Sequence, residues 1–263
     1  MTTRNMIAAF LAASMVVGAA AGLATAREEE TIKQSYEAGK HPRLSLRNIN
    51  GDVRIEGGEG RTFEVTAIKS ADSKQDLEDA DIRFRMDDGH LQIEVDYDDD
   101  GWSHHHDAVR IDFTLTVPRG VRIDTVELVN GDLSLHAIDG GVEASSVNGD
   151  VSGEALGGAV ELSAVNGEVS LVASGEPDSI DLSSVNGGVS LVLPAKIDAR
   201  IEASTVHGSI HSVDGLDVDT SSFVGSSLKG TIGKGGMKIE LDTVNGSIEI
   251  RREGGAATRG KDN

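Results

Sequence analysis

The chain has no cysteine, so disulfides, thiolate metal sites, a thiol nucleophile and a lipidated N-terminal cysteine are all excluded. Aromatic residues are scarce. Five Phe, two Tyr and one Trp among 263 residues cannot build a core on large rings. Proline is rare at four residues, and the 32 glycines follow no collagen triplet. Positive charge is in short supply, with 24 Lys plus Arg against 44 Asp plus Glu and a net charge of −20. A field of that sign repels phosphate backbones and anionic headgroups, which argues against nucleic acid as a partner. Long apolar runs are missing beyond the first 26 residues, so no later segment is expected to cross a bilayer as a helix.

What the chain does have begins with an export pattern. Arg4 supplies a positive start, Ile7 to Leu23 an apolar stretch of small residues, and Ala24-Thr25-Ala26 an A-x-A cleavage site. Residues 1–26 therefore read as a signal peptide, in preference to an uncleaved membrane anchor, and cleavage would leave Arg27 at the mature N-terminus. The other end, residues 251–263, has no apolar pattern and reads as a disordered tail.

Between the two lies a repeat. Val-Asn-Gly or a close variant recurs with glycine at 131, 149, 167, 187, 208, 225 and 246, a period of 17 to 21 residues. Each turn is preceded at fixed distances by apolar residues, Val142, Val160, Ile180, Ile201, Val218 and Ile239 among them, and followed by Val151, Val169, Val189, Ile210 and Ile248. The copy at Asn130 fits if two residues are dropped from its incoming strand, whereas Leu44 to Val53 fits without a gap. Alternation on both sides of a glycine turn means two short strands per unit. Asn-Gly also favours a two-residue hairpin, so an antiparallel β-repeat array is one reading. Columns of identical residues from unit to unit favour the other, a single-stranded parallel β-solenoid of 17–21-residue rungs in which Asn amides hydrogen-bond up the stack. The solenoid is placed at 121–250, and the less regular β-rich stretch 27–120 is read as its N-terminal cap. Within that cap Thr62–Ile68, Ile82–Met86, His90–Tyr97 and Val109–Val117 alternate as strands, and Ser73–Asp81 is helix-like.

Asn50-Gly51-Asp52-Val53, Val117-Pro118-Arg119-Gly120 and the run of Val-Asn-Gly units resemble the bacterial adhesin-like family of β-strand-repeat proteins, also called toastrack-like, over nearly the whole mature chain. The resemblance implies an exported, non-catalytic envelope protein with a solenoid-like β fold. It transfers no catalytic or binding residues, because the family is itself largely of unknown function.

Two constellations carry possible chemistry. Asp96 to Asp107 follows the D-x-D-x-D-G start of a calcium loop, with Asp96, Asp98, Asp100 and Asp107 as oxygen ligands and His104 beside them in a triple-histidine run suited to zinc or nickel. Strands flank the loop instead of helices, and a solvated connection accounts for the same residues. The second is an acid five residues before the turn in six consecutive units: Glu143, Glu161, Asp181, Glu202, Asp219 and Glu240. Stacked rungs would put these in one outward column, which confers solubility and protects against sideways β-pairing, or collects divalent cations or a basic partner.

Catalytic signatures are wanting. Serines recur as repeat columns (Ser145, Ser163, Ser183, Ser204), and no nucleophile elbow, P-loop, dinucleotide fingerprint or H-E-x-x-H occurs. The expectation is an exported, non-enzymatic interaction or scaffold module of the cell envelope, periplasmic in preference to surface-exposed. It requires no cofactor, has room for Ca2+ or another divalent ion, and takes an envelope protein or glycan as partner. The alternative is a carbohydrate-active β-helix enzyme, with His207 and His211 near Glu202 and Asp219 as its nearest approach to an active site.

Overall fold

The computed structural model describes residues 27–78, 80–97, 109–174, 177–212, 218–219 and 225–253. The first strands are β1 (Glu28–Glu37), β2 (Arg43–Asn50), β3 (Val53–Gly58) and β4 (Thr62–Ala71), followed by the short helix α1 (Lys74–Glu78). Then come β5 (Ala80–Asp87), β6 (His90–Tyr97), β7 (Arg110–Pro118), β8 (Arg122–Asn130) and β9 (Leu133–His136). The repeats supply β10 (Val142–Asn148), β11 (Val151–Glu154), β12 (Gly158–Asn166), β13 (Val169–Val172), β14 (Pro177–Asn186), β15 (Val189–Leu193), β16 (Ala199–His207) and β17 (Ile210–Ser212). β18 (Val218–Asp219), β19 (Ser226–Ile232), β20 (Met237–Asn245) and β21 (Ile248–Arg252) complete the described chain.

Each repeat sends one strand into each of two large sheets, and equivalent strands pair in parallel with their columns in register. Val142 lies opposite Val160, Val160 opposite Ile180 and Ile180 opposite Ile239. The coil is therefore the parallel solenoid, and the antiparallel array is ruled out for its rungs. The inward residues form one apolar core in which Leu44, Leu46, Leu162, Leu182, Leu191 and Leu241 are wholly buried. Each such side chain contributes about 2 kcal/mol of burial.

Corners explain the Asn-Gly signature. Asn148 donates from Nδ2 to Asn130 Oδ1 at 2.9 Å, Asn166 to Asn148 at 2.9 Å and Asn186 to Asn166 at 2.9 Å, a continuous amide ladder. Beneath it, Ser146, Ser184 and Thr243 donate to the carbonyls of Gly131, Gly167 and Gly187 in the adjoining rung. Glycine is required at these corners by close approach more than by a left-handed φ. A Cβ at Gly187 would collide with the carbonyl oxygen of Gly167, and one at Gly246 with that of Gly187.

The stacking order departs from the chain order at both ends. One sheet reads β18-β19-β16-β20-β14-β12-β10-β8-β2-β6-β5 and the other β1-β4-β7-β3-β9-β11-β13-β15-β21-β17. The last repeat, β20 with β21, is inserted between β14/β15 and β16/β17. At the opposite end β6/β7 lies outside β2/β3, so residues 43–58 form a full rung inside the stack and are not only a cap. Antiparallel strands finish each end: β5 on β6 and β4 on β7 at one, β19 on β16 at the other. The copy at Asn130 has one extra residue, not two, absorbed as a bulge in β8 between Ile123 and Val126. The turn at Gly225 opens no rung, because β19 runs back antiparallel along β16. β21 runs to Arg252, two residues into the stretch read from sequence as tail. Residues 1–26 and 254–263 lie outside the described residues.

Candidate functional site: the outer face of the β8–β16 sheet

Alternation in each repeat strand buries positions such as Val142 and Ala144 and turns Glu143, Ser145 and Val147 outward. Parallel in-register stacking then converts each outward position into a column along the coil. Five of the six acids align along the coil in an order other than that of the chain. Glu143 pairs with Glu161, Glu161 with Asp181, Asp181 with Glu240, and Glu240 with Glu202. Glu202 is not the neighbour of Asp181, because β20 comes between. Asp219 is not a member, since β18 pairs antiparallel with β19 and sets Asp219 opposite Ser227.

Among the described residues, the column's ion pairs are at one end. Lys238 Nζ lies 2.5 Å from Glu240, and Lys229 Nζ 3.4 Å from Glu202. Glu143, Glu161 and Asp181 form no ion pair among the described residues. Burial between rungs, reinforced by Glu240, Glu161 and Asp242, holds the Asp181 carboxyl above the ordinary aspartate value.

Of the proposed metal ligands, only Asp96 is among the described residues. Asp98, Asp100, His104 and Asp107 lie outside the described residues, and Asp96 accepts a hydrogen bond from Arg83 across the β5–β6 pair. Among the described residues no cluster of three or more His, Asp or Glu could hold a metal ion.

The two histidines of the enzyme reading are not gathered with their carboxylates. His207 sits at a corner opposite Asn245, in the sheet that carries Glu202. His211 is in β17 of the other sheet, opposite Glu249, with its Nε2 2.9 Å from Ser209 Oγ.

A different trio, with no sequence signal because its members are 45 and 34 residues apart, does meet on the outer face. Ser45 Oγ lies 2.9 Å from His90 Nε2, and Asp124 Oδ2 lies 3.8 Å from the same nitrogen. A relay needs the carboxylate on the opposite ring nitrogen from the hydroxyl. Asp124 is instead engaged by Arg43 at 2.6 Å and Arg122 at 3.0 Å. β2 is also flanked on both sides, by β6 and β8, so its amides belong to the ladders. The trio is a polar cluster in which the Arg43 and Arg122 ion pairs to Asp124 tie the first rungs together.

Stacked two-strand rungs with glycine corners define a β-repeat coil protein whose regular face displays side-chain columns. The family model described as Toastrack DUF4097 matches residues 120–251. The chain belongs to this family, as its Val-Asn-Gly units and Val117-Pro118-Arg119-Gly120 anticipate. No curated protein matches the chain. Among solved structures, a Clostridium sporogenes protein named for a proposed role in cell adhesion is 17% identical, covering 87% of this chain and 100% of its own, at a TM-score of 0.49. A Bacteroides fragilis protein named as a proposed adhesin is 11% identical over 84% of this chain and 96% of its own, with a TM-score of 0.39. A Parabacteroides distasonis protein named for proposed lipid binding is 10% identical over 84% of this chain and 96% of its own, with a TM-score of 0.33. Among the described residues, no helix is long and apolar enough to cross a membrane.

Proposed function

We propose that the chain is exported through residues 1–26 and works, without catalysing a reaction, as an adhesin-like interaction module of the cell envelope, within the periplasm. One observation carries this reading. Among the described residues, the polar side chains of the coil are spent on stacking ladders and repeated outward columns and converge on no reactive centre. A ribbed face of this kind suits a partner that lies along the coil, an envelope protein or a glycan. The discriminating experiment incubates the purified protein with a panel of acidic and neutral glycans and tracks reducing-end release. No turnover is the expected result. Turnover abolished by His211→Ala would replace this reading with the β-helix enzyme.

Divalent ions form a second part of the proposal, with Asp96, Asp98, Asp100, His104 and Asp107 as one locus and the acidic column as another. Calcium and zinc are titrated calorimetrically into wild type and an Asp98→Ala, Asp100→Ala variant. Heat in wild type that is lost in the variant is expected. Flat traces for both proteins remove ions from the loop.

A further inference from the structure

The outer face carries a feature that solubility does not require. Val129, Val147, Val165, Val185, Val244 and Val206 stack one above another, and each stands 40–42% exposed. Beside them runs a hydroxyl column, Ser145, Ser163, Ser183 and Ser204, interrupted by Asp242. An open groove of about 460 Å³ lies along these two columns across five strands. Negative charge borders its β10–β12 end on both sides, whereas Gly188, Ser247 and Ser209 take the place of acids past the corner on the other three rungs. Beyond the hydroxyls stand Glu143, Glu161 and Asp181, which have no ion pair among the described residues. Beyond the valines, past the corner, stand Asp132 and Asp150, each accepting the backbone N–H of the next rung with one carboxylate oxygen, and then Glu168.

We propose that this groove docks a basic amphipathic α-helix of a partner protein, lying along the coil axis. The proposal rests on the interaction-module reading above and gives it a site and a partner chemistry. Charge complementarity at the β10–β14 end selects the sign, since an apolar stripe beside unpaired carboxylates fits an apolar helix stripe flanked by Lys and Arg. Spacing selects the helix. One helical turn rises about 5.4 Å and one rung about 4.8 Å, so successive turns meet successive valines with a drift of roughly 2.4 Å over four intervals. An extended strand repeats its same-face side chains every 6.8 Å or so and falls out of step within two rungs. The groove is lined by Ser, Ala, Val, Thr and Asp, without the aromatic ring on which a sugar would stack. A second copy of the chain would bring a like net charge of −20 onto the same face.

The test uses the whole exported protein and an 18-residue Leu/Lys peptide designed as a helix with one apolar stripe. A scrambled peptide of the same composition and an alternating Leu/Lys strand-former serve as controls. Fluorescence anisotropy at 0.15 M salt is expected to show the striped helix binding at least tenfold tighter than either control. Val165→Ser with Val185→Ser should weaken it tenfold or more. Glu161→Gln with Asp181→Asn should weaken it severalfold and flatten its salt dependence. Thermal melts check that each variant is folded, and Ser163→Arg with Ser183→Arg, which fills the groove and leaves the valines in place, should block the same peptide. Equal affinity for scrambled and striped peptides, tighter binding of the strand-former, or a valine-dependent dimer in sedimentation would overturn the proposal. If the Val165→Ser, Val185→Ser protein sediments with isolated envelope fractions as wild type does, the groove proposal fails while the interaction-module reading stands.

Discussion

Asp181 sits between two other carboxylates, Glu161 on one strand and Glu240 on the next. Lost hydration and like charge both penalise its ionised form, so its folded carboxyl titrates above the ordinary value. The folded state thus holds the proton more tightly than the unfolded chain, and stability falls as pH rises through the elevated value. Below the unfolded aspartate value, near pH 3.9, both states are protonated and the penalty vanishes. Asp181→Asn is therefore expected to melt higher than wild type at pH 7 by a few tenths to about 1 kcal/mol, and the two should converge near pH 3.5. Denaturant unfolding across pH 3.5 to 7 checks it, and a pH-independent difference would place the effect in packing instead. Its neighbour Glu240 is paired with Lys238 at 2.5 Å. Identical positions in the repeat carry unequal electrostatic loads.

At the scale of the strand, the column Glu143–Glu161–Asp181–Glu240–Glu202 sets five acids side by side. Neighbours about 5 Å apart repel by roughly 0.8 kcal/mol in water and about 3 kcal/mol at an effective dielectric of 20. Splay and hydration bring the real cost toward the lower figure, and Lys229 and Lys238 relieve one end. Glu161→Gln with Glu240→Gln removes every nearest-neighbour repulsion in the column. A gain on the order of 1 kcal/mol is expected at low salt, shrinking as the Debye length falls to about 10 Å at 0.1 M. Calcium should stabilise wild type more than this variant. Melting curves at low and high salt, with and without calcium, decide the matter, and four coincident pairs would dispose of the cation-collecting column. The column itself was legible in the sequence, because a fixed offset from each Asn-Gly is a register once rungs stack in parallel. Its order was not legible. The rungs offer near-identical Val and Ser/Thr positions to their neighbours. The one corner that departs, His207 of β16 in place of Asn, lies at the end of the amide ladder that Asn245 of β20 continues onto Asn186. β19 returns antiparallel along one edge of β16, and β20 takes the opposite edge. Asp219 and the turn at Gly225 belong to that return and matched the repeat pattern without forming a rung. The Ser45, His90 and Asp124 contacts escaped for a related reason, since they depend on which rungs adjoin and not on any local motif.

For the whole molecule, the permuted order changes how the coil must assemble. In a solenoid stacked in chain order, each rung docks on the one before it and stability is a sum of neighbouring interfaces. Here β16 and β17 have no rung to rest on until β20 and β21 arrive, about 40 residues later, because their only rung neighbour among the described residues is that last repeat. β19 gives β16 an antiparallel partner meanwhile, so the terminal block forms a local sheet that stays apart from the body of the coil. The final repeat then joins the two, forming ladders with β14 and β15 on one side and β16 and β17 on the other. Pulse-labelled hydrogen exchange during refolding is expected to protect the amides of β10 to β15 first. Those of β16 that bond toward β20 should gain protection in the same kinetic phase as β20 itself, and with the slower closure that long-range contacts impose. Removing residues 237–253 should accordingly do more than trim an end. It should leave β14 and β15 uncovered and detach the 199–232 segment, which limited proteolysis would cut while residues 122–193 stay intact. Protection of β16 together with β14, ahead of β20, would mean that the chain first stacks in sequence order and exchanges rungs later.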